Sequence, residues 1–359
     1  MGAADESSIP KKSGRREFLR TAGLIVSGST IGVGLGLGGG AMIRTSRKSL
    51  PDDAIVLGRD EHLYEWQGDW AKLPASKAFG YTQAICEDSQ GRILIFNNSP
   101  DTVAVFDPDG NFMKSWGSEY EWGAHGMQLS VEDGQEFLYL SLTRQHKIAK
   151  TTIDGELIWE MTYPKEAGVY VNNQGYLPTN IAIAPNGDFY VADGYGSFYV
   201  HQYTRAADYV RTWGGRGGDF AKFKQPHGIW VDTRGPEPLV VVADRGNMRL
   251  VYFAMDGKFI RPYKFEVHTP CHFDQRGQYL LVPELWGRVT ILDAQNKLYT
   301  RLGEYPGAAK LPGYPNIPHE LRLPGKFTSP HECIWDRQGN IFCVEWIGDG
   351  RVTKLRHIA

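Results

Sequence analysis

An internal repeat runs through most of this chain and limits the folds that are open to it. The clearest copy begins at Pro226 with the residues PHGIWVD, reaches Val-Ala-Asp at Asp244 and ends in an Asp-Gly turn at Asp256. Each copy contains three or four short apolar runs separated by turn signals, which is typical of antiparallel strands. The copies begin at or near Gln83, His125, Thr179, His227, Thr269 and His331, so successive starts lie 42, 54, 48, 42 and 62 residues apart.

Six such units predict an all-β fold, a six-bladed β-propeller with four-stranded blades. The last unit ends soon after Leu355 and lacks an outermost strand, whereas residues 62–70 (HLYEWQGDW) resemble the ends of other units. We therefore expect an N-terminal strand to close the ring, which removes an exposed sheet edge. The 42 glycines and 12% aromatic residues fit many strands joined by tight turns. A net charge of −2 implies no large basic surface, so no nucleic-acid partner is predicted.

The first 50 residues differ from the repeats. Arg15 and Arg16 are followed by Glu-Phe-Leu, and residues 21–42 carry no charge. This pattern predicts a twin-arginine export signal, which would place the protein in the periplasm or outside the cell. No clear Ala-x-Ala precedes residue 50, so a retained membrane anchor is the alternative, and membrane contact is expected only through this uncleaved segment. The propeller is predicted to span residues 51–359, and the sequence carries no indication of its oligomeric state.

Three histidines occupy the same repeat position in the second, fourth and sixth units: His125, His227 and His331. In a propeller the first strand of each blade lines the central channel, and alternate blades of a six-fold ring are about 120° apart. The three imidazoles are therefore expected to converge on one axis. Imidazole suits zinc and other divalent transition metals, and three protein ligands leave one position open. A structural calcium is a further candidate cofactor, and the alternative is that the histidines are polar residues lining the channel.

The four cysteines offer one candidate disulfide. Cys333 and Cys343 fall opposite each other if a hairpin turn is centred on Gln338, and directly opposed residues are close enough for a bridge. Free, buried cysteines are the other interpretation.

Residues 222–260 resemble an NHL repeat, with its Pro-x-Gly-Ile, Val-Ala-Asp and Asn-x-Arg segments. Within that group, residues 80–355 resemble peptidyl-α-hydroxyglycine α-amidating lyases. The resemblance implies a zinc ion held by the three repeat histidines. It also implies a catalytic tyrosine at Tyr195, in Asp193-Gly-Tyr, and an arginine that holds anionic groups at Arg245, after Ala243-Asp244. In that family the tyrosine is proposed as the base that acts on the substrate hydroxyl.

The sequence departs from the family pattern at three places. A second family arginine would fall near Asn97 and Asn98 and is absent, and the aspartate after the last zinc histidine is replaced by Glu332. The family's disulfide cysteines are missing, and Gly196 follows the tyrosine. Four residues are expected to support the site or to contact the substrate: Asn98, Asp193, Asp244 and Glu332.

These residues describe two kinds of chemistry on a small-molecule or peptide-like substrate. A metal with an open position polarises a bound hydroxyl or activates a bound water. A nearby dication or arginine helps a tyrosine to accept a proton. An arginine can also bind a carboxylate through two hydrogen bonds. The first reaction is lyase cleavage of a C–N bond at an α-hydroxylated carbon, and the second is metal-assisted hydrolysis. Two alternatives stay open: an NHL propeller without enzymatic activity that binds a protein, peptide or glycan on one face, and a metal that is only structural.

Other residues around the expected axial mouth have two interpretations each. Tyr195 is alternatively an aromatic residue of a turn, and Arg245 a surface arginine of the kind many NHL units carry. Glu284, Glu332 and Glu345 are expected to face the mouth, where Glu332 either orients a ligand histidine or is a carboxylate of the rim. Trp286 and Trp346 follow them and either wall a pocket for an apolar or sugar-like substrate or pack between blades.

Overall fold

Twenty-five β-strands form six antiparallel sheets in the computed structural model, which describes residues 50–264 and 266–359. The predicted export segment therefore lies almost entirely outside the described residues. Within the described ranges there is no α-helix, and no helix is long and apolar enough to cross a membrane. Single-turn 3₁₀ helices are found at Ser118–Tyr120, Thr143–Gln145, Lys165–Ala167, Asn173–Gly175, Arg245–Asn247, Ala308–Lys310 and His319–Leu321.

The strands are short and follow the apolar runs of the repeat. In chain order they are β1 (Val56–Arg59), β2 (His62–Gln67), β3 (Thr82–Glu87), β4 (Ile93–Asn97), β5 (Val103–Phe106), β6 (Phe112–Trp116), β7 (Ala124–Glu132), β8 (Gln135–Leu142), β9 (Lys147–Thr152), β10 (Leu157–Met161), β11 (Asn180–Ile183), β12 (Phe189–Ala192), β13 (Tyr199–Tyr203), β14 (Tyr209–Gly214), β15 (Pro226–Asp232), β16 (Leu239–Asp244), β17 (Arg249–Ala254), β18 (Phe259–Tyr263), β19 (Asp274–Arg276), β20 (Tyr279–Glu284), β21 (Arg288–Leu292), β22 (Leu298–Leu302), β23 (Pro330–Trp335), β24 (Ile341–Glu345) and β25 (Arg351–His357).

Five sheets consist of four consecutive strands each, from β3–β6 (blade 1) to β19–β22 (blade 5). The sixth has the order β23-β24-β25-β2-β1 and joins both ends of the described chain. The predicted six-bladed propeller, closed by an N-terminal strand, is confirmed. Strand β2 pairs with β25 through partners such as Tyr64 and His357. The closing blade has five strands rather than four, because β1, which the sequence did not predict, pairs with β2 at its outer edge.

The core of the propeller lies between neighbouring blades. Six clusters of buried apolar residues are found in the described part of the chain, and each joins two adjacent sheets. Strand β16 shows the reason, since successive side chains of a strand point to opposite faces. Val240 and Val242 pack towards blade 3, whereas Val241 and Ala243 pack towards blade 5. Because both faces of each sheet are covered, the second strands of the blades, such as β4, β12, β16 and β24, are nearly continuous apolar runs. The innermost strands are held around a common channel.

The innermost strands carry an irregularity that aims one residue at the channel. The pairing of the first two strands shifts at Ala124/Gly126 in blade 2, at Pro226/Gly228 in blade 4 and at Pro330/Glu332 in blade 6. The residue skipped each time is a repeat histidine, and a β-bulge of this kind re-aims a side chain. In blade 1 the skipped residue is Gln83.

The prediction for the fifth unit was wrong by two residues. Cys271 N donates to Pro283 O, as Thr179 N donates to Ala192 O in blade 3, so Cys271 rather than Thr269 is the residue equivalent to the histidines. The regular pairing of this blade starts only at β19, although an isolated antiparallel bridge joins Pro270 to Glu284. Cys333 and Cys343 are register partners across β23 and β24, as predicted, and all four cysteines are free and buried.

Candidate metal centre

His125, His227 and His331 meet at the channel axis with near-trigonal symmetry. Their ring centroids are 4.8, 5.0 and 4.8 Å apart, and one nitrogen of each ring lies within 4.8 Å of the others. All three side chains are buried, with at most 6% of the residue exposed. The structure thus brings together three residues that are separated by about a hundred positions in the sequence, and the group could bind a metal ion.

Each histidine is oriented by a backbone carbonyl of the next blade. Nδ1 of His125 lies 2.7 Å from Thr179 O, Nδ1 of His227 lies 2.8 Å from Cys271 O, and Nδ1 of His331 lies 2.6 Å from Gln83 O. A carbonyl oxygen only accepts hydrogen bonds, so Nδ1 carries the proton in all three rings. The lone pair is therefore on Nε2, which points towards the axis. Fixing the tautomer through the other ring nitrogen is the usual way in which proteins prepare a histidine for a metal.

Two glycines allow this close approach between blades. A Cβ on Gly126 would lie 2.5 Å from Thr179 O, and a Cβ on Gly228 would lie 2.3 Å from Cys271 O. Each glycine directly follows a repeat histidine, and the carbonyl it would strike is the one that accepts from that histidine. Any larger side chain would push the two blades apart at the point where the histidine is oriented.

We expect Gly228→Ala to weaken the metal centre without removing a ligand. The added methyl group must displace Cys271 O, so the hydrogen bond from His227 Nδ1 is lost or lengthened. Loss of such an orienting partner lowers metal affinity by about 10–100-fold, and the forced shift lowers the free energy of unfolding by about 1–3 kcal/mol. Competitive zinc titration and urea unfolding measure the two effects. Gly218→Ala is the matched control, because its Cβ would meet no atom within 4 Å; equal zinc affinity in the two variants would contradict the prediction.

Tyr195 and Arg245 complete the group on the face where the histidine strands begin. The Tyr195 hydroxyl lies 3.0 Å from His227 Nε2 and 3.3 Å from His125 Nε2, and it accepts a hydrogen bond of 2.9 Å from Arg245 Nη2. Arg245 is held by Gln225 Oε1 at 3.2 Å and by Cys271 Sγ at 3.5 Å. Sequence reasoning predicted the tyrosine and the arginine, and the structure places both beside the histidines.

The electrostatics keep the three imidazoles neutral and the arginine charged. Burial lowers the pKa of His125 to about 3. Burial also holds the pKa values of His227 and His331 well below the usual range, helped by the charge of Arg245 and by the neighbouring rings. Burial alone would lower the pKa of Arg245, but the Tyr195 hydroxyl and the Cys271 thiol raise it above the ordinary value. Neutral imidazole is the form that binds a metal.

The donor set fits a bound cation. Three Nε2 lone pairs converge, and among the described residues the Tyr195 hydroxyl is the O–H donor within hydrogen-bond distance of them. Its single proton satisfies one lone pair at a time, and its own oxygen already accepts from Arg245. Buried nitrogen lone pairs without a hydrogen-bond donor destabilise the folded state unless a cation binds to them. Three imidazoles suit zinc or another divalent transition metal.

Asp193 and Asp244 act through the backbone rather than through direct contact with the histidines. The Asp193 carboxylate accepts from Leu177 N, Ser197 N and the Tyr170 hydroxyl at 2.6–2.8 Å. The Asp244 carboxylate accepts from two backbone N–H groups of the loop before β15 and from the side chains of Asn247 and Arg249. Since these aspartates begin the turns that carry Tyr195 and Arg245, they fix the positions of those turns.

We expect Arg249→Leu to destabilise the fold strongly. Arg249 is fully buried, its Nε donates to Asp244 at 2.8 Å, and its Nη2 donates to two carbonyls of the loop before β15. Its removal leaves a buried carboxylate without its counter-charge, at a cost of about 3–5 kcal/mol in the free energy of unfolding. Urea unfolding is the measurement. Breaking the exposed Lys114–Asp154 pair with Lys114→Leu should cost less than about 1 kcal/mol, and an equal loss in both variants would contradict the assignment.

Asn98 and Glu332 lie next to the centre but do not hold the histidines directly. Asn98 Oδ1 accepts from Gln83 Nε2 at 2.7 Å, and Asn98 Nδ2 donates to Ala124 O at 3.2 Å, so it braces the residue before His125. Glu332 is buried and accepts from Ile85 N at 3.3 Å. Burial raises its pKa well above the usual range. Because backbone carbonyls occupy all three Nδ1 atoms, Glu332 does not orient a ligand histidine, and its burial places it away from the rim.

Glu284 and Glu345 do not face the mouth, which corrects the expectation from the sequence. Both are buried in ion pairs, with Arg288 and Arg351 respectively, and both accept backbone hydrogen bonds from the loop before the first strand of their blade. From sequence alone, a charged residue at a strand end can face a site or form a buried ion pair. The arginine that follows each glutamate by four or six residues was the signal for the ion pair.

Sequence reasoning missed Cys271, Gln225 and the two glycines. The glycines were visible, since each directly follows a histidine in the same repeat position. Cys271 and Gln225 gave no signal of their own, because Cys271 reaches Arg245 only through the packing of blade 5 against blade 4, and Gln225 only through the pairing of β15 with β16.

No family model matches the chain. In sequence the chain is 23% identical over 355 residues to peptidyl-alpha-hydroxyglycine alpha-amidating lyase 1 of Drosophila melanogaster, covering 87% of this chain and 63% of that protein. It is 27% identical over 221 residues to NHL repeat-containing protein 3 of Mus musculus, covering 57% of this chain and 62% of that protein. The predicted resemblance is confirmed, at modest identity. In each alignment the chain spans less than two thirds of the relative's length.

Solved structures share the fold. The gluconolactonase XC5397 of Xanthomonas campestris superposes with a TM-score of 0.58 at 14% identity, covering 85% of this chain and 96% of that one. A streptogramin B lyase superposes with a TM-score of 0.56 at 12% identity, covering 81% of this chain and 97% of that one. At these identities the superpositions show that the propeller fold is shared, and they show the fold alone.

Proposed function

We propose that the protein is a metal-dependent lyase that cleaves a C–N bond at an α-hydroxylated carbon, with a peptide-like or small-molecule substrate. One observation carries the proposal: the Tyr195 hydroxyl lies within 3.3 Å of two histidine Nε2 atoms and accepts from Arg245. A tyrosine beside both a metal-binding group and a fixed cation is placed to accept a proton from a substrate hydroxyl.

His125, His227 and His331 would hold the metal, which supplies polarisation of a substrate hydroxyl oxygen. Tyr195 would accept the hydroxyl proton in its phenolate form, which the charge of Arg245 stabilises, and would thereby become a neutral phenol. As the C=O bond forms, the electron pair of the C–N bond leaves with the nitrogen, which takes up a proton, so the products are an amide and a carbonyl compound. Arg245 also has Nη atoms suited to a carboxylate on the same carbon.

The comparisons support this choice over hydrolysis. An amidating lyase is among the relatives, and the match to it covers 87% of this chain. Tyr195 and Arg245, to which the resemblance gives the roles of catalytic tyrosine and anion-holding arginine, are hydrogen-bonded to each other beside two of the histidines. The absence of an arginine near Asn98 means that any substrate carboxylate depends on Arg245 more strongly than in a site with two arginines.

The test is turnover of N-benzoyl-α-hydroxyglycine by the full-length chain, followed as release of glyoxylate. We expect activity that disappears on dialysis against a chelator and returns with zinc or another divalent transition metal. Metal-loaded protein that binds the ion but turns over neither this compound nor any other α-hydroxyglycine amide would leave a structural metal as the explanation. Protein that binds no metal after reconstitution would favour a binding propeller.

Export by the twin-arginine route is also a proposal, and it rests on Arg15, Arg16 and the uncharged run that follows. The periplasm or the cell exterior would then be the place where the enzyme meets its substrate. Replacing both arginines with lysine should retain the protein in the cytoplasm, as measured by cell fractionation.

A further inference from the structure

A cavity of about 540 Å³ opens between blade 5 and the segment 303–329, which joins blade 5 to blade 6. Its aromatic walls are Trp286, Tyr305 and Tyr314, and the volume lies in the range that proteins use for small ligands. Trp286 is 45% exposed and lines the cavity. The residues that line the cavity do not include the three histidines, Tyr195 or Arg245, and the cavity is not used in the mechanism above.

The cavity walls are fixed rather than loose. Tyr305 N donates to Gly287 O at 2.8 Å, and the Tyr314 hydroxyl donates to Leu285 O at 2.7 Å. Further along the segment, Asn316 donates to the Tyr81 hydroxyl and accepts from Gly348 N. The segment is therefore tied to blades 5, 6 and 1, so the cavity is formed before any ligand arrives.

The charges around the cavity balance. Two carboxylates, Glu284 and Glu304, and two cations, Arg288 and Lys310, line it, and Arg288 pairs with both carboxylates. A cavity with aromatic walls and no net charge from these four groups favours a neutral aromatic group, because aromatic rings prefer offset or edge-to-face contacts with other rings.

A short chain of contacts joins the cavity wall to the histidine cluster. Trp286 N donates to Thr269 Oγ1 at 3.1 Å. Two residues after Thr269, the Sγ atom of Cys271 lies 3.5 Å from Arg245 Nη1. Cys271 O accepts from His227 Nδ1. Trp286 also lies in the turn after β20, which corresponds in blade 5 to the turn that carries Arg245 in blade 4. The two turns lie on the same face of neighbouring blades.

We propose that this cavity binds an aromatic acyl group of the substrate, on the nitrogen side of the bond that is cleaved, while Arg245 and the histidines bind the α-hydroxylated carbon and its carboxylate. The inference rests on the proposed function for the identity of the second half of the substrate. It predicts a preference for substrates in which an aromatic ring is attached next to the scissile amide.

The test compares two unreactive ligands that lack the α-hydroxyl group, N-benzoylglycine and N-acetylglycine, by calorimetry on the metal-loaded full-length protein. We expect the benzoyl compound to bind on the order of tenfold more tightly, which corresponds to about 1.4 kcal/mol. Trp286→Ala should remove most of this difference and leave the acetyl compound unchanged. Ala309→Trp, which fills the cavity without truncating its wall, should do the same. Trp122→Ala is the matched control, since Trp122 is 67% exposed and lies on the loop before β7.

The outcomes separate this inference from the proposed function. A benzoyl preference that depends on Trp286 supports the aromatic site, even if no α-hydroxyglycine amide is turned over. Equal affinities for the two ligands, or a preference that survives both Trp286→Ala and Ala309→Trp, would overturn the inference even if the enzyme is active.

Discussion

His227→Ala is expected to abolish both metal binding and activity. The wild-type chain should contain about one metal ion after reconstitution, as measured by mass spectrometry of the purified protein, and the variant close to none. Three imidazoles form the whole set of protein ligands that the described residues place at the axis, and two neutral nitrogens hold a divalent ion much less tightly. Turnover of the α-hydroxyglycine substrate should fall to background.

The fold should survive this substitution. His227 donates one hydrogen bond to Cys271 O, so its loss leaves one buried acceptor without a partner and costs about 1–3 kcal/mol in the free energy of unfolding. Circular dichroism and urea unfolding separate this small loss from misfolding.

His201→Ala is the matched control for His227→Ala. His201 is also fully buried, but its nitrogens contact the hydroxyls of Tyr170 and Thr212, outside the histidine cluster. The control variant should lose stability and keep its metal. Full activity of His227→Ala in metal-free buffer would remove the metal from the mechanism.

Tyr195→Phe should separate catalysis from metal binding. The substitution removes one oxygen atom and leaves all three histidines with their Nδ1 partners, so metal content should stay at the wild-type level. Removal of a general base lowers kcat by about 10²–10⁴-fold. Affinity for N-benzoylglycine should change little, because that ligand has no hydroxyl proton to transfer.

Tyr199→Phe provides the comparison for the loss of a tyrosine hydroxyl. Tyr199 begins β13 in the same blade, and its hydroxyl has no hydrogen bond to the histidine cluster or to Arg245. Its kcat should match that of the wild type. If Tyr195→Phe kept its metal and retained wild-type turnover, Tyr195 would be an aromatic residue of the turn, and the base would have to be another group.

Because the chain is built from repeats, most of the fold and the cluster of three histidines could be predicted from the sequence. Equivalent repeat positions become equivalent positions around a ring, so the alternation of His125, His227 and His331 was enough to predict their convergence. The closing strand β2 was predicted for the same reason, because its sequence resembles the outer strand of other units. The additional strand β1 has no counterpart in the repeat and therefore gave no signal.

The orientation of the ligands could not be predicted from side-chain identity. The groups that fix the histidine tautomers are backbone carbonyls of Thr179, Cys271 and Gln83, and any residue type supplies a carbonyl. The acidic residues Glu284 and Glu345 were misleading for a related reason. A carboxylate that ties down a loop and one that faces a substrate have the same sequence pattern, and only the three-dimensional contacts distinguish them.

The closing blade has two roles at once. It contains the junction between β2 and β25, and its first strand carries His331. A metal held by blades 2, 4 and 6 would then act as a non-covalent crosslink across the ring, and separating the chain ends would require that ion to lose a ligand. Metal occupancy and resistance to ring opening would be thermodynamically linked, so the loaded protein should gain stability that rises logarithmically with free metal concentration.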